Sequence, residues 1–326
     1  MCIENTTIEA LQQTLAAGET TATDLTTRYL ARIDAYDRDG PGLNSVREVN
    51  PDALAIAAAL DARKPATRRP LEGIPILIKD NIATADRQHT TAGSLALAEA
   101  RARRDATVTR LLRDAGAVIL GKANLTEFAN ILAVDMPSGY SSLGGQVKNP
   151  YAPQLDDRNI PIVPPGGSSS GSAVAVAAGL AAAAIGTETS GSLLSPAHQN
   201  GLVTVKPTLG LISRAGIIPI AHSQDTAGPM TRTVRVSGPA VSWLWAIGMM
   251  PARLINPTVG FTVTTPFWLA GDSREPDVSV PIATAASPTA TATAEPELGP
   301  PGATIGTPAR LSSGAYGFFT WPPSEE

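Results

Sequence analysis

The stretch GGSSSGSAVAVAAGLAAAAIGTETSGS, Gly166 to Ser192, constrains this chain more than any other feature. It holds six serines, and apart from Thr187, Glu188 and Thr189 every other residue is Gly, Ala, Val, Leu or Ile. Side chains this small let backbones approach closely, which places the stretch inside a layered fold rather than on its surface. Its middle, Ala173 to Gly186, runs for 14 residues. That is too short to span a bilayer and reads as a buried helix. A Gly-Ser loop, Gly166 to Ser172, leads into this helix, and a second turn, GTETSGS, follows it. Glycines in such loops permit the dihedrals that turn several N–H groups toward one point, and such a nest can hold an oxyanion. The plain alternative is a flexible Gly-Ser loop.

The flanking chain alternates helix and strand. In TATDLTTRYLARIDAYD, Thr21 stands three residues before Asp24 as a variant capping box, with apolar or aromatic side chains at Leu25, Tyr29, Ile33 and Tyr36. Asn50 as N-cap and Pro51 at the first helical position open a second helix, DALAIAAALDARK. GIPILIKD and GAVILGKAN are short apolar runs bounded by Gly, Lys and Asp or Asn, the pattern of buried strands. Alternation of this kind predicts an α/β fold.

Composition excludes several functions. A net charge of -4 offers no basic field for nucleic acid or an anionic membrane, so neither is expected as a partner. Cys2 is the only cysteine, which rules out an internal disulfide. The first basic residue is Arg28 and no apolar leader precedes it, so the expected location is cytoplasmic. His89, His198 and His222 have no second His or Cys close in sequence, and neither a metal nor a cofactor is expected.

Lys79 ends the apolar run Ile74 to Ile78. Burial disfavours an ammonium, so a lysine at the inner end of such a strand could be neutral near pH 7 and act as a base. The alternative is a strand-end lysine that points to water and pairs with Asp80.

Taken together, the segments LEGIPILIKDNI, TTAGSLAL, GKANLTEFAN, MPSGYSSLGGQVKNPY, GGSSSGSAVAVAAG, GTETSGSLLSPAHQNGLVTVKPTLG and SRAGIIPIAHSQDTAGPMTRTV resemble the amidase signature family, and they occur in its order. The resemblance covers roughly Thr7 to Arg235. It implies an amide hydrolase working through an acyl-enzyme, built on a mixed β-sheet surrounded by helices. By this resemblance Lys79 matches the family's catalytic lysine, Ser168 its bridging serine in a cis peptide, and Ser192 its nucleophile, 24 residues after Ser168. The N–H groups of Thr189, Ser190, Gly191 and Ser192 match its oxyanion hole. The implied partner is a small-molecule or peptide amide rather than the substrate of transfer-RNA amidation, with the oligomeric state open.

Three features depart from the family. Ser190 replaces the Gly or Asp common before the Gly-Ser pair, LDDRNIPIVP lengthens the approach to the signature loop, and His89 stands where Met-Pro is frequent. A rival enzyme reading takes Gly167-Ser168-Ser169-Ser170-Gly171 as the G-x-S-x-G elbow of an α/β-hydrolase, with His222 downstream. Pro164 and Pro165 speak against it, because an elbow needs a strand running directly into the turn.

After Arg235 the pattern changes. Residues 236–326 carry all four tryptophans and no lysine, and PIATAASPTATATAEPELGPPGATIGTPA reads as Pro/Ala/Thr-rich disorder. The abrupt loss of pattern at TRTVR suggests a shifted frame or a retained intron. The expected organisation is residues 1–235 as the N-terminal part of an amidase signature domain and 236–326 as an unmatched tail. On that view the alternative to an active amidase is a truncated, inactive fragment whose fold is incomplete at the C-terminus.

Overall fold

PILIK extends as strand β2, Pro75–Lys79, with all five residues buried, and VILGKA extends beside it as β3, Val118–Ala123, buried throughout. Runs with no polar alternation suit parallel strands covered on both faces, and β2 and β3 pair in parallel. The computed structural model describes residues 2–63, 68–233 and 262–264. All of these fall within one compact unit, Met1–Ala283.

The helices before β2 follow their caps. Thr7 accepts from the Ala10 N–H at the start of α1, Ile8–Ala17, and Thr21 accepts from the Asp24 N–H at the start of α2, Ala22–Arg32. Asp24 does not complete the reciprocal box: its carboxylate takes the Thr20 hydroxyl and pairs with Arg28. Leu25, Tyr29 and Ile33 are buried as expected, whereas Tyr36 is 45% exposed, because the helix widens into a π-turn over Ile33–Arg38. Strand β1, Val46–Val49, follows. Asn50 then accepts the Asp52 N–H, and α3 starts at Ala53 and runs to Asp61, two residues later than the Pro51 start expected. Helix α4, Thr107–Asp114, connects β2 to β3.

The small-residue stretch differs most from expectation. It is a short helix followed by a strand, not one helix. Helix α5 spans Ser170–Ala177, the chain reverses at Gly179 with φ +67, and β6 runs over Ala183–Glu188. A left-handed glycine ends the helix with the Leu180 N–H bonded to the Ala175 carbonyl, and the Ala182 N–H then reaches the Pro75 carbonyl to start pairing along β2. Sheet pairing overrides the helix propensity of the alanines.

After short helix α6, Leu194–Gln199, come strands β7, Val203–Lys206, and β8, Thr226–Thr231. A two-stranded ribbon of β4, Tyr140–Ser141, and β5, Gly145–Gln146, stands apart. Among the described residues the main sheet has seven strands in the order β1-β3-β2-β6-β8-β7-β9, where β9 is Thr262–Thr264. β2 is parallel to both neighbours and the other pairs are antiparallel, which makes the expected mixed α/β sheet with helices around it. The expectation of disorder after Arg235 falls on residues that, apart from 262–264, lie outside those described. No described helix is long and apolar enough to cross a membrane.

Candidate active site

Strands β2 and β6 lie side by side, and their C-terminal ends carry Lys79 and Thr187. Open α/β sheets gather their chemistry beyond the carboxyl ends of parallel strands. Lys79 is fully buried, and its Nζ lies 2.8 Å from Ser168 Oγ and 2.8 Å from Thr187 Oγ1. It therefore does not point to water. Nor does it pair with Asp80. Successive strand residues face opposite sides, and the Asp80 carboxylate meets Arg47 Nε at 3.0 Å, the Gly93 N–H at 3.1 Å and the Thr91 hydroxyl. Burial pushes the Lys79 ammonium down to about 7, against the carboxylates of Glu188 and Asp225, which favour the charged form.

Ser168 enters from the loop before α5, and the Gly167–Ser168 peptide is cis. Thr126 N–H donates to the Ser168 carbonyl at 3.1 Å, which fixes this loop against the segment after β3. Ser169 and Ser172 are buried loop and helix residues. Ser169 Oγ donates to the Thr187 carbonyl at 3.1 Å, and Ser172 Oγ donates to the Ile185 carbonyl at 3.3 Å. Ser169 is the serine an elbow would use, yet its hydroxyl is committed to the β6 backbone and no strand runs into the turn.

Ser192 is half-buried in the turn after β6 and is joined to the same loop by the Ser169 N–H, which donates to its carbonyl at 3.2 Å. Among the described residues, the Ser192 and Ser168 hydroxyls share no hydrogen bond. The N–H groups of Gly191, Leu193 and Leu194 converge on the Glu188 carboxylate, the last at 3.3 Å. Of the four N–H groups matched to the oxyanion hole, Gly191 alone is among those that converge here, and Glu188 holds it. The N–H groups of Thr189, Ser190 and Ser192 have no partner among the described residues.

A cavity of about 410 Å³ is lined by Thr187, Thr189 and Asn81 and by the apolar side chains of Ile217, Ile218 and Ile220. Asp225 holds the isoleucine segment in place: its carboxylate accepts from Thr189 Oγ1 at 2.7 Å and from the Ile220 and Ala221 N–H groups at 2.8 and 3.0 Å. His222 lines the same cavity, exposed, and its carbonyl accepts from Arg214. His89 lies away from the cavity, with Nδ1 2.9 Å from Glu48 and Nε2 accepting from Arg101 at 3.1 Å. No group of residues able to hold a metal ion occurs among the described residues.

Sequence reading missed Thr187, Asn81, Glu188 and a second buried lysine. Lys122 on β3 shares the Asp80 face of the sheet, where its Nζ donates to Thr90 Oγ1 at 3.0 Å and to the Ile82 carbonyl. Burial brings it down to about 8, opposed by Asp80. No serine touches it among the described contacts. The signal for Thr187 and Asn81 was position alone: each lies at the end of a strand that delivers a residue to the site.

The mixed sheet and the lysine-hydroxyl cluster at its strand ends describe an α/β protein with a buried amine between two hydroxyls, and comparison with known proteins identifies its family. The amidase family model matches residues 24–253, running past Arg235. The chain belongs to the amidase family. A Schizosaccharomyces pombe protein named as an amidase is 44% identical over 258 residues, 78% of this chain and 42% of the relative. A glutamyl-tRNA(Gln) amidotransferase polypeptide of Halorhodospira halophila is 45% identical over 229 residues, 70% of this chain and 44% of that one. The crystal structure of the native peptide amidase of Stenotrophomonas maltophilia superposes with a TM-score of 0.70 at 50% identity, over 77% of this chain and 52% of that chain. The chain thus spans about half the length of the relatives it matches.

Proposed function

We propose that this chain carries the catalytic half of an amide hydrolase in which Lys79, Ser168 and Ser192 form a relay. The observation that carries this reading is the contact of a buried amine, brought down to about 7, with the Ser168 hydroxyl. A serine becomes a nucleophile only when a base takes its proton, and here a neutral lysine acting through a second hydroxyl takes the place of histidine. Lys79 accepts the proton of Ser168 while Ser168 accepts that of Ser192. Ser192 Oγ then bonds to the amide carbonyl carbon, and the N–H groups of Thr189, Ser190, Gly191 and Ser192 take the developing negative charge on oxygen. Collapse breaks the C–N bond, and the relay returns the proton to the departing amine. Water, deprotonated by the same relay, releases the acyl group as a carboxylic acid and restores Ser192.

For the oxyanion to sit in the nest, the Gly191 N–H must turn from Glu188 to the substrate. The isoleucine wall of the cavity suits an apolar acyl side chain, and the likeness to a peptide amidase supports a peptide amide or another small amide as substrate. The test is labelling by a fluorophosphonate of the 326-residue chain. Label on Ser192, abolished by Ser192→Ala, together with ammonia release from a blocked dipeptide amide, is the expected result. Label on another serine refutes the nucleophile. A folded chain with no label supports the reading as an inactive fragment.

A further inference from the structure

The hydrogen bonds at Lys79 continue one step beyond the serines. Thr187 Oγ1, 2.8 Å from Lys79 Nζ, accepts from Asn81 Nδ2 at 3.1 Å. Asn81 is 3% exposed, its Nδ2 also faces the Ile218 carbonyl at 3.5 Å, and its backbone carbonyl accepts the Ile218 N–H at 2.8 Å. Its Oδ1 is buried and has no partner among the described residues. A buried acceptor left unpaired disfavours the folded state and calls for an explanation. Turning the amide over would let Oδ1 accept from Thr187, but it would set that oxygen against the Ile218 carbonyl. The N–H is therefore held toward Thr187.

A threonine hydroxyl offers one hydrogen and two lone pairs. The ammonium form of Lys79 can only donate, so it needs a lone pair from Thr187. The neutral amine accepts from Ser168 and needs Thr187 less. A donor on Thr187 Oγ1 occupies one lone pair and weakens the oxygen as an acceptor for the ammonium. We propose that Asn81 is a positioning residue for Lys79: by donating to one lone pair of Thr187 Oγ1 it leaves the other a weaker acceptor for the ammonium and so favours the amine that takes the proton of Ser168. This inference rests on the reading of Lys79 as the base. Glu188, at the end of β6, and Asp225, just before β8, are the charged groups that face Lys79, and both favour the ammonium. Asp80, on the other face of β2, is paired with Arg47. Burial and the Asn81 donor are what oppose the two carboxylates.

The Lys79 13Cε chemical shift, followed with pH in the full 326-residue chain, reads ionisation without turnover. Asn81→Leu removes the donor without adding charge, and the Lys79 midpoint is expected to rise by about half to one pH unit. Thr187→Val removes the acceptor and lowers the midpoint, and Thr187→Ser restores it. In the Thr187→Val background Asn81→Leu moves nothing, because the connection runs through the hydroxyl. An unmoved or lowered midpoint in Asn81→Leu, or the same rise in both backgrounds, overturns the proposal. If Asn81→Leu does not fold, Asn81→Asp takes its place in the same cycle, with a larger rise in the wild-type background and a rise of equal size in both backgrounds as the refuting result. The acid limb of Ser192 phosphonylation by a fluorophosphonate is the second readout and should follow the same order. Midpoints that move as stated while wild-type Ser192 stays unlabelled uphold the Asn81 link and sink the proposed function. Labelled Ser192 with unmoved midpoints does the reverse.

Discussion

Replacing Lys79 by Met keeps an apolar stem of similar length and deletes the amine, and the pH dependence of stability reports the change. In the folded chain burial brings Lys79 to about 7 and Lys122 to about 8. In the unfolded chain a lysine titrates at about 10.4. Between pH 7 and 9 the unfolded chain binds more protons than the folded one, so stability rises with pH. The sign follows from the lowered values: the destabilisation is complete below the folded value and vanishes above the unfolded one. Integrating the proton difference from pH 7 to 9 gives about 2 kcal/mol for Lys79 and about 1 kcal/mol for Lys122. Carboxylates such as Asp86 and Glu72, held below their usual range, titrate under this window and add a constant. Urea unfolding at pH 7, 8 and 9 is therefore expected to show a rise of about 3 kcal/mol in the wild type and about 1 kcal/mol in Lys79→Met. The slope is the readout, because Met leaves the Ser168 and Thr187 hydroxyls without the amine at every pH. An unchanged slope in Lys79→Met would show that the amine titrates as it does in water, and the base would have to be sought elsewhere.

Two further substitutions test the packing that holds the site. A Cβ on Gly171 would lie 2.3 Å from the Ser45 carbonyl oxygen and 2.4 Å from that of Asn124, so Gly171→Ala is expected to cost about 3 kcal/mol or more in urea unfolding. A loss below about 0.5 kcal/mol would show that α5 does not sit so close. Arg232 donates to the Val176 and Ala181 carbonyls at 2.8 and 3.3 Å and to the Thr6 carbonyl at 2.7 Å, which closes the C-terminus of α5 and ties it to the N-terminal segment. Arg232→Met leaves three carbonyls without this donor and should cost about 2 to 3 kcal/mol, with faster amide hydrogen exchange at residues 8–17 as the accompanying sign.

How far the sequence could be read depended on whether a residue's neighbours were local. The Thr21 cap, the strands ending at Lys79 and Ala123 and the burial of Tyr29 are set by nearby residues, and all stand where the pattern places them. The alanines of 173–186 were legible as buried and illegible as helix or strand, since both environments accept a small apolar side chain and only pairing with β2 decides. Tyr36 follows the helical period yet faces solvent, because the π-turn shifts the register by a fraction of a turn. Lys79 and Ser168 are 89 positions apart and meet only through the sheet, so in the sequence family resemblance alone connects them. Thr187 and Asn81 had no composition signal at all. Their part depends on which face of a strand end meets the amine, a property of register that is invisible until the strands are paired.

A lysine can stand in for a histidine only where its ammonium is disfavoured, and in the proposed relay the small residues between Gly166 and Ser192 would meet this requirement. The proposed relay needs a loop and a strand end to bring hydroxyls within reach of one amine: Ser168 from before α5 and Thr187 from the end of β6. Gly171 lets α5 lie directly on the backbone of Ser45 and Asn124. At Gly186 a Cβ would stand 2.7 Å from the Leu193 side chain and 2.8 Å from Ser169 Oγ, so the turn bearing Ser192 packs this closely on β6 because that atom is absent. A larger side chain at either point would push one loop away from the amine and open a path for water. Water would restore the ammonium's solvation and return Lys79 toward its ordinary range, where it cannot accept the Ser168 proton at neutral pH. The glycines and alanines thus act on the chemistry through dryness: by excluding water from around Nζ, they set the protonation state on which the proposed relay depends.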